Sequence, residues 1–398
     1  MSADTKPTAA APATANAFAK AALLWSLPWH ADWVSAVSFV GPKHVAAGNN
    51  LGEILLWELP DKPDPASEPT GKTKAGSGEK SERPLYATPP PARQFLGHSN
   101  VINRLLCAES RWLISASHDH TVRYWDLQAT PGATAKLVLN ARTIEDAVRN
   151  KSSGRKPPPP VEVEVRTQPS AKTIQGGEWI VGLGLSHDQS TLITGDDAGQ
   201  VGLFNRSAGT ELKRWQVKGW AYAVALSPDL KQACVSERYP LVFDSGRHVG
   251  VKLWDATTGT VQHDLSKEFK DMQIAAAAYS ADGKVLALGR GGEADGNNGK
   301  VFLINPATGK KQREFTPGHQ YGITDLCFHP DGKHLASSGR DTVVRLWNLA
   351  DGKMVKELGK PRGGQFKDWI HAISFSPDGT HLATADMAGF VHVWQLNG

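Results

Sequence analysis

From Gly318 the chain alternates apolar and polar stretches in a way that defines a unit. Gly318-His319 leads into the apolar run Ile323–Phe328, which Pro330-Asp331-Gly332 interrupts. A second run follows to Gly339, Asp341-Thr342 interrupts again, and a third run ends on Trp347-Asn348. Short apolar runs separated by Pro, Asp and Gly predict three strands with two tight reversals. In the third run, Thr342-Val343-Val344-Arg345-Leu346-Trp347, β-branched and polar residues interleave as in a strand packed on one or both faces.

The unit recurs. Aligned on it, the chain holds seven copies: His30–Leu59, Gly97–Leu127, Gly176–Asn205, Gly219–Asp255, Met272–Asn305, Gly318–Asn348 and Phe366–Leu396. Repetition at about 40 residues, with four strands per unit and Gly-His…Trp-Asp punctuation, marks a propeller blade. The chain resembles the WD-repeat (WD40) β-propeller family. The residues that carry the resemblance are Gly97-His98 with Trp125-Asp126, Gly318-His319 with Trp347-Asn348, and the turns Ser227-Pro228-Asp229, His329-Pro330-Asp331-Gly332 and Ser376-Pro377-Asp378-Gly379. The expected fold is all-β: a seven-bladed β-propeller of four-stranded antiparallel blades, since a lone blade cannot bury both faces. The last copy stops at its third strand, and Ala22–Leu27 is an apolar strand with no blade of its own. That N-terminal strand is expected to complete the last blade and close the ring.

The domain reading is a disordered tail over 1–20 and a single propeller over 21–398. Insertions interrupt the propeller at about 60–91 and 129–173. Pro60–Pro91 is rich in Pro, Lys, Glu, Ser and Gly and reads as a solvated loop that re-enters at Ala92–Leu96. Ala129–Thr173 is mixed. Lys136–Leu139 and Val161–Val165 alternate like strands, Thr143–Asn150 suits a helical turn or two, and Pro157–Pro160 suits a polyproline spacer.

Composition narrows the function classes. Over 398 residues the formal net charge is only +4, which argues against a strongly phosphate-binding surface and so against a nucleic-acid partner. No window approaches the roughly 18 apolar residues of a membrane span. The three cysteines, Cys107, Cys234 and Cys327, sit in strand-like runs without metal or disulfide spacing. They read as buried thiols in a reducing compartment, and the expected location is cytoplasmic.

Two sets of residues draw the chemistry. In the family that the chain resembles, a His, a Ser or Thr, a turn Asp and a Trp form a hydrogen-bonded tetrad. Carried over by offset, the tetrads are His98, Ser115, Asp119 and Trp125, and His319, Ser337, Asp341 and Trp347. A Ser, a His and an Asp together imitate a hydrolase triad, but a satisfied polar strut inside the blade explains them without catalysis. No catalytic residue, metal ligand or cofactor is therefore assigned. The start of each first strand, which in such propellers faces the narrower top of the channel, holds Trp33, Val101, Trp179, Trp220, Gln273, Gly322 and Trp369. The tryptophans Trp33, Trp179, Trp220 and Trp369 either bind a partner or pack on the neighbouring blade. Enlarged reversals in blades four and five add Arg238 and Tyr239 to the partner-binding candidates. The functional expectation is a non-enzymatic scaffold that binds a protein or peptide on its top face, as a monomeric propeller within a larger complex. The alternative is a propeller enzyme or small-ligand binder at the channel mouth.

Overall fold

The computed structural model describes residues 17–29, 33–60, 89–139, 160–238, 250–270, 272–292, 298–361 and 369–396. Within them the chain is all-β, with seven antiparallel blades in a ring. The innermost strands, in chain order, are Val34–Phe39, Ile102–Ala108, Ile180–Leu185, Trp220–Leu226, Ile274–Tyr279, Ile323–Phe328 and Ile370–Phe375.

Why these segments form blades follows from their alternation. Along the second strand of blade one, Val45 and Ala47 join the apolar cluster facing blade seven, while Ala46 joins the one facing blade two. Successive side chains point to opposite faces, and here both faces are covered. The buried apolar residues accordingly fall into seven clusters, one at each junction between adjacent blades. Each fully buried Leu, Ile or Phe adds on the order of 1.5–3 kcal/mol, so the ring is held mainly by these seven seams.

The ring closes as the repeat count requires. Ala22–Pro28 pairs antiparallel with Phe390–Gln395 and becomes the outer strand of blade seven. Ahead of it, Phe18 is buried at the seam between blades six and seven, and Lys356 Nζ donates to Ala19 O at 2.9 Å.

One sheet departs from four strands. Pro91–Leu96 is the outer strand of blade one, and Val161–Pro169 pairs parallel with it, bringing Thr134–Leu139 along as an antiparallel neighbour. Blade one thus has six strands, while the outer strand of blade two is Lys172–Gln175, beyond this hairpin. Leu137, Leu139 and Val165 pack with Trp25, Leu27 and Trp29 of the N-terminal segment. The strand-like runs inside the insertion therefore brace the closure seam. The segments expected as a helical turn (Thr143–Asn150) and as a polyproline spacer (Pro157–Pro159) lie outside the described residues, as does nearly all of the first insertion.

A further regularity repeats in every blade. The first two strands slip register by one residue near their start, at Ser35, Asn103, Val181, Tyr222, Ala275, Thr324 and His371. Such bulges re-aim a side chain, and two of them tie blades together. Ser35 Oγ donates to Ile102 O at 2.7 Å and Asn103 Nδ2 to Ile180 O at 2.6 Å.

Candidate partner-binding face

Blade six assembles its polar residues into a closed network. His319 Nδ1 donates to Asp341 at 2.8 Å, and Ser337 Oγ donates to His319 Nε2 at 2.8 Å. Ser337 Oγ in turn accepts the Trp347 indole N–H at 2.9 Å. Arg345 joins Asp341 at 3.3 Å and Glu357 at 3.0 Å. The imidazole is buried, and burial lowers its pKa against the pull of Asp341, so it stays neutral with each nitrogen committed. Gly339 is required here: a Cβ on it would lie 2.5 Å from His319 Nδ1.

Blade two builds two of the three links. His98 Nδ1 donates to Asp119 at 2.7 Å, and Ser115 Oγ donates to His98 Nε2 at 2.5 Å. Burial opposes ionisation of Asp119, yet hydrogen bonds from His98 and Thr121 hold its carboxyl well below the usual range. Trp125 does not complete the tetrad. Its indole nitrogen is buried without a hydrogen-bond partner, and the ring lies edge-on to the His98 imidazole, centroids 5.5 Å apart.

The channel inside the ring has a volume of about 590 Å³. Arg104 of blade two reaches across it to Asp325 of blade six, Nη1 to Oδ1 at 2.8 Å. Asp325 also accepts the Ile373 N–H of blade seven at 3.0 Å. The corresponding positions elsewhere are Ala36, Gly182, Ala223, Ala276 and Ala372, so a charge in a column of small residues was the signal in the sequence that went unread.

At the end where the innermost strands begin, each tryptophan singled out is already in contact. Trp369 lies under the Arg340 guanidinium, 4.4 Å from its ring centroid. Trp179 stacks on His118 at 4.8 Å and Trp33 on His371 at 6.3 Å. Each of these three contacts joins neighbouring blades. Trp220 instead takes Arg238 of its own blade, 5.9 Å away, and that guanidinium also lies 5.0 Å over Tyr222. Burial pushes the His371 pKa down to about 4, Arg340 reinforcing the effect. Trp179 remains 40% exposed, whereas Trp33, Trp220 and Trp369 are half-buried. The structure also brings two unanticipated side chains to this end: Leu51, 46% exposed, and Tyr321, 37% exposed. Tyr321 has φ +61°, a conformation uncommon for an aromatic residue and often found at functional sites. It is positioned from blade five, where Gly299 and His319 exchange backbone hydrogen bonds at 2.9 and 2.7 Å. Aligning the repeats on Gly322 had hidden Tyr321, one residue earlier. Tyr239, Arg247 and His248 lie outside the described residues, as do Glu293, Asp295 and Asn297 of the blade-five reversal.

The family model "WD domain, G-beta repeat" matches residues 90–126, 309–348 and 356–395. Each match begins on the outer strand of one blade and runs through three strands of the next. The chain is a WD-repeat propeller. Its similarity to the Target of rapamycin complex subunit wat1 of Schizosaccharomyces pombe is 22% identity over 60% of this chain and 74% of that protein. To the Transcription factor unc-37 of Caenorhabditis elegans it is 32% over 45% of this chain, and to WD repeat-containing protein 1 of Xenopus tropicalis 25% over 64%. The chain spans only 28% and 33% of the length of those two. In WD-repeat terms, blade six carries a complete tetrad and blade two a triad with an unbonded tryptophan.

Proposed function

We propose that this propeller is a non-enzymatic scaffold that holds a protein or peptide partner on the face where Trp179, Tyr321 and Leu51 are exposed. The observation that carries the reading is the set of part-exposed aromatic side chains there, with Arg238 and Arg340 stacked on rings beside them. Large rings and arginine dominate binding hot spots because they offer area at low entropic cost. The absence of catalysis in this reading is supported by the commitments of the polar groups. Ser115 and Ser337 are fully buried away from any substrate, Ser337 is also committed to the Trp347 N–H, and Arg104 and Asp325 neutralise each other in the channel. The relative wat1 is, by its name, a subunit of a complex, in keeping with a propeller that works within a larger assembly.

The same proposal places the chain in the cytoplasm. Its three cysteines are free, and burial pushes the Cys234 thiol up to about 12 and Cys107 to about 11, which suits a reducing compartment.

The test is affinity recovery from the native host. Trp179→Ala with Tyr321→Ala, and separately Trp33, Trp220 and Trp369 all changed to Ala, should each lower partner recovery at least about tenfold, which corresponds to about 1.4 kcal/mol. Unchanged recovery with both folded variants would refute the proposal.

A further inference from the structure

Five of the turns joining a first strand to a second carry an aspartate at the same offset, and one of them is chemically odd. In blades three, four, five and seven a serine opens the turn, and its hydroxyl donates to that aspartate. The pairs are Ser186–Asp188 at 2.6 Å, Ser227–Asp229 at 2.6 Å, Ser280–Asp282 at 2.7 Å and Ser376–Asp378 at 2.5 Å. Blade six has His329 in the serine position and Asp331 as the acid.

His329 Nε2 faces the Gly379 carbonyl of the next blade at 2.9 Å. A carbonyl only accepts, so this nitrogen carries the proton. Nδ1 accepts the Asp331 backbone N–H at 3.1 Å, which independently identifies it as the unprotonated nitrogen. Yet Nδ1 also lies 3.0 Å from Asp331 Oδ1. Where the other four turns have a hydroxyl hydrogen between serine and carboxylate, this one sets a lone pair against an anion. His334 adds a third ligand atom, with Nδ1 2.6 Å from Asp331 Oδ2. The ligand atoms of His329, Asp331 and His334 all lie within 4.8 Å of one another.

The imidazoles are held in place. Gly379 allows the close approach of His329, since a Cβ there would lie 2.7 Å from the ring. Phe18 meets both rings edge-on, with centroids 5.5 Å from His329 and 4.8 Å from His334, and Phe375 lies 4.8 Å from His329. Both histidines are buried while the Asp331 carboxylate is part-exposed, which leaves a path in from solvent.

We propose that His329, Asp331 and His334 form a binding site for a first-row divalent cation of borderline softness, for which Zn²⁺ is the probe. Two imidazole nitrogens and a carboxylate are the donor set such ions take, with water in the remaining position. A backbone carbonyl holding the far nitrogen of a ligating histidine is the usual device for fixing its tautomer. Binding exchanges the Asp331 N–H contact at His329 Nδ1 for the metal bond and moves the His334 proton from Nδ1 to Nε2, freeing Nδ1 to ligate.

The experiment uses the untagged full-length chain, stripped with a chelator and titrated with ZnCl₂ against a chromophoric competitor, with Co²⁺ absorption as a second readout. The wild type should take up one saturable equivalent. His329→Ser, which restores the turn chemistry of the other four blades, and His334→Ala should each bind at least about tenfold more weakly. Both variants should still unfold cooperatively in the absence of metal, which separates lost binding from lost fold. Equal uptake by the wild type and both variants would overturn the proposal. So would the lack of a saturable equivalent in the wild type, which would leave a proton as the species between His329 and Asp331.

Discussion

Blades two and six carry the same four residue types with the same serine-to-aspartate-to-tryptophan spacing, but only in blade six does the indole bond to the serine. In blade six, Ser337 donates to the imidazole while accepting from Trp347, and Asp341 is completely buried beside Arg345. In blade two, Trp125 packs its ring against His98 and leaves its N–H without a partner. Both rings also pack on a phenylalanine from the preceding blade, Trp125 on Phe95 and Trp347 on Phe315, so the indole hydrogen bond and the charges around the aspartate are what set the two blades apart. The two blades are also the pair joined across the channel by Arg104 and Asp325. Among the described residues, the two Ser–His–Asp struts thus occur in the same two blades that this trans-channel ion pair joins.

The largest effect that would sharpen this comparison comes from the aspartates. Asp341→Ala leaves the buried His319 Nδ1–H without its acceptor and takes one of two carboxylates from Arg345, which keeps Glu357, and should destabilise the chain by about 3–5 kcal/mol. Asp119→Ala, where the arginine stands off at 3.9 Å, should cost about 1–3 kcal/mol. Urea midpoints measure both, and equal losses would break the distinction.

Acid provides the next test. The folded pKa of His98 and of His319 lies below 6.5, with burial as the main cause. The unfolded chain therefore takes up these protons first as pH falls. The stability involved is fully present above pH 6.5 and is lost as pH drops through the folded values. His371, brought down to about 4, should lose its share between about pH 6.5 and 4. Stability measured between pH 7.5 and 4 should decline, with a shallower slope in His319→Gln and His371→Gln. A slope unchanged by both substitutions would contradict the assignment.

The smallest effect isolates the bond itself. Trp347→Phe and Trp125→Phe remove similar ring area, but only the first breaks a hydrogen bond. Trp347→Phe should be the more destabilising by about 1 kcal/mol. A difference near zero would mean that the indole–serine link contributes nothing.

These contrasts also show what the chain disclosed in advance. The blade count and ring closure were legible because alternation that is apolar on both faces persists through seven copies and leaves Ala22–Leu27 without a blade. Lys136–Leu139 and Val161–Val165 were legible as strands, but not their parallel docking on Arg93–Leu96, which joins segments about 70 positions apart and leaves no local trace. Whether Trp125 reaches Ser115 depends on ring placement that residue spacing does not encode. Arg104 and Asp325 were visible in principle, as charges in a column otherwise Ala or Gly. Tyr321 was hidden by an alignment that set Gly322 in the tryptophan column. The enlarged reversals of blades four and five were read from their length alone, and of their residues Arg238 is the one seen stacked on aromatic rings.

The claim that function resides on the exposed aromatic end of the ring is tested most directly by hydrogen exchange. The partner recovered from the native host is added back to the purified chain, and protection is mapped along the sequence. Protection is expected around Leu51, Trp179 and Tyr321 and in the neighbouring turns at that end, with the outer strands of blades four and five unchanged. Protection confined to the opposite turns, such as Ser227–Lys231 and Ser280–Lys284, would contradict it.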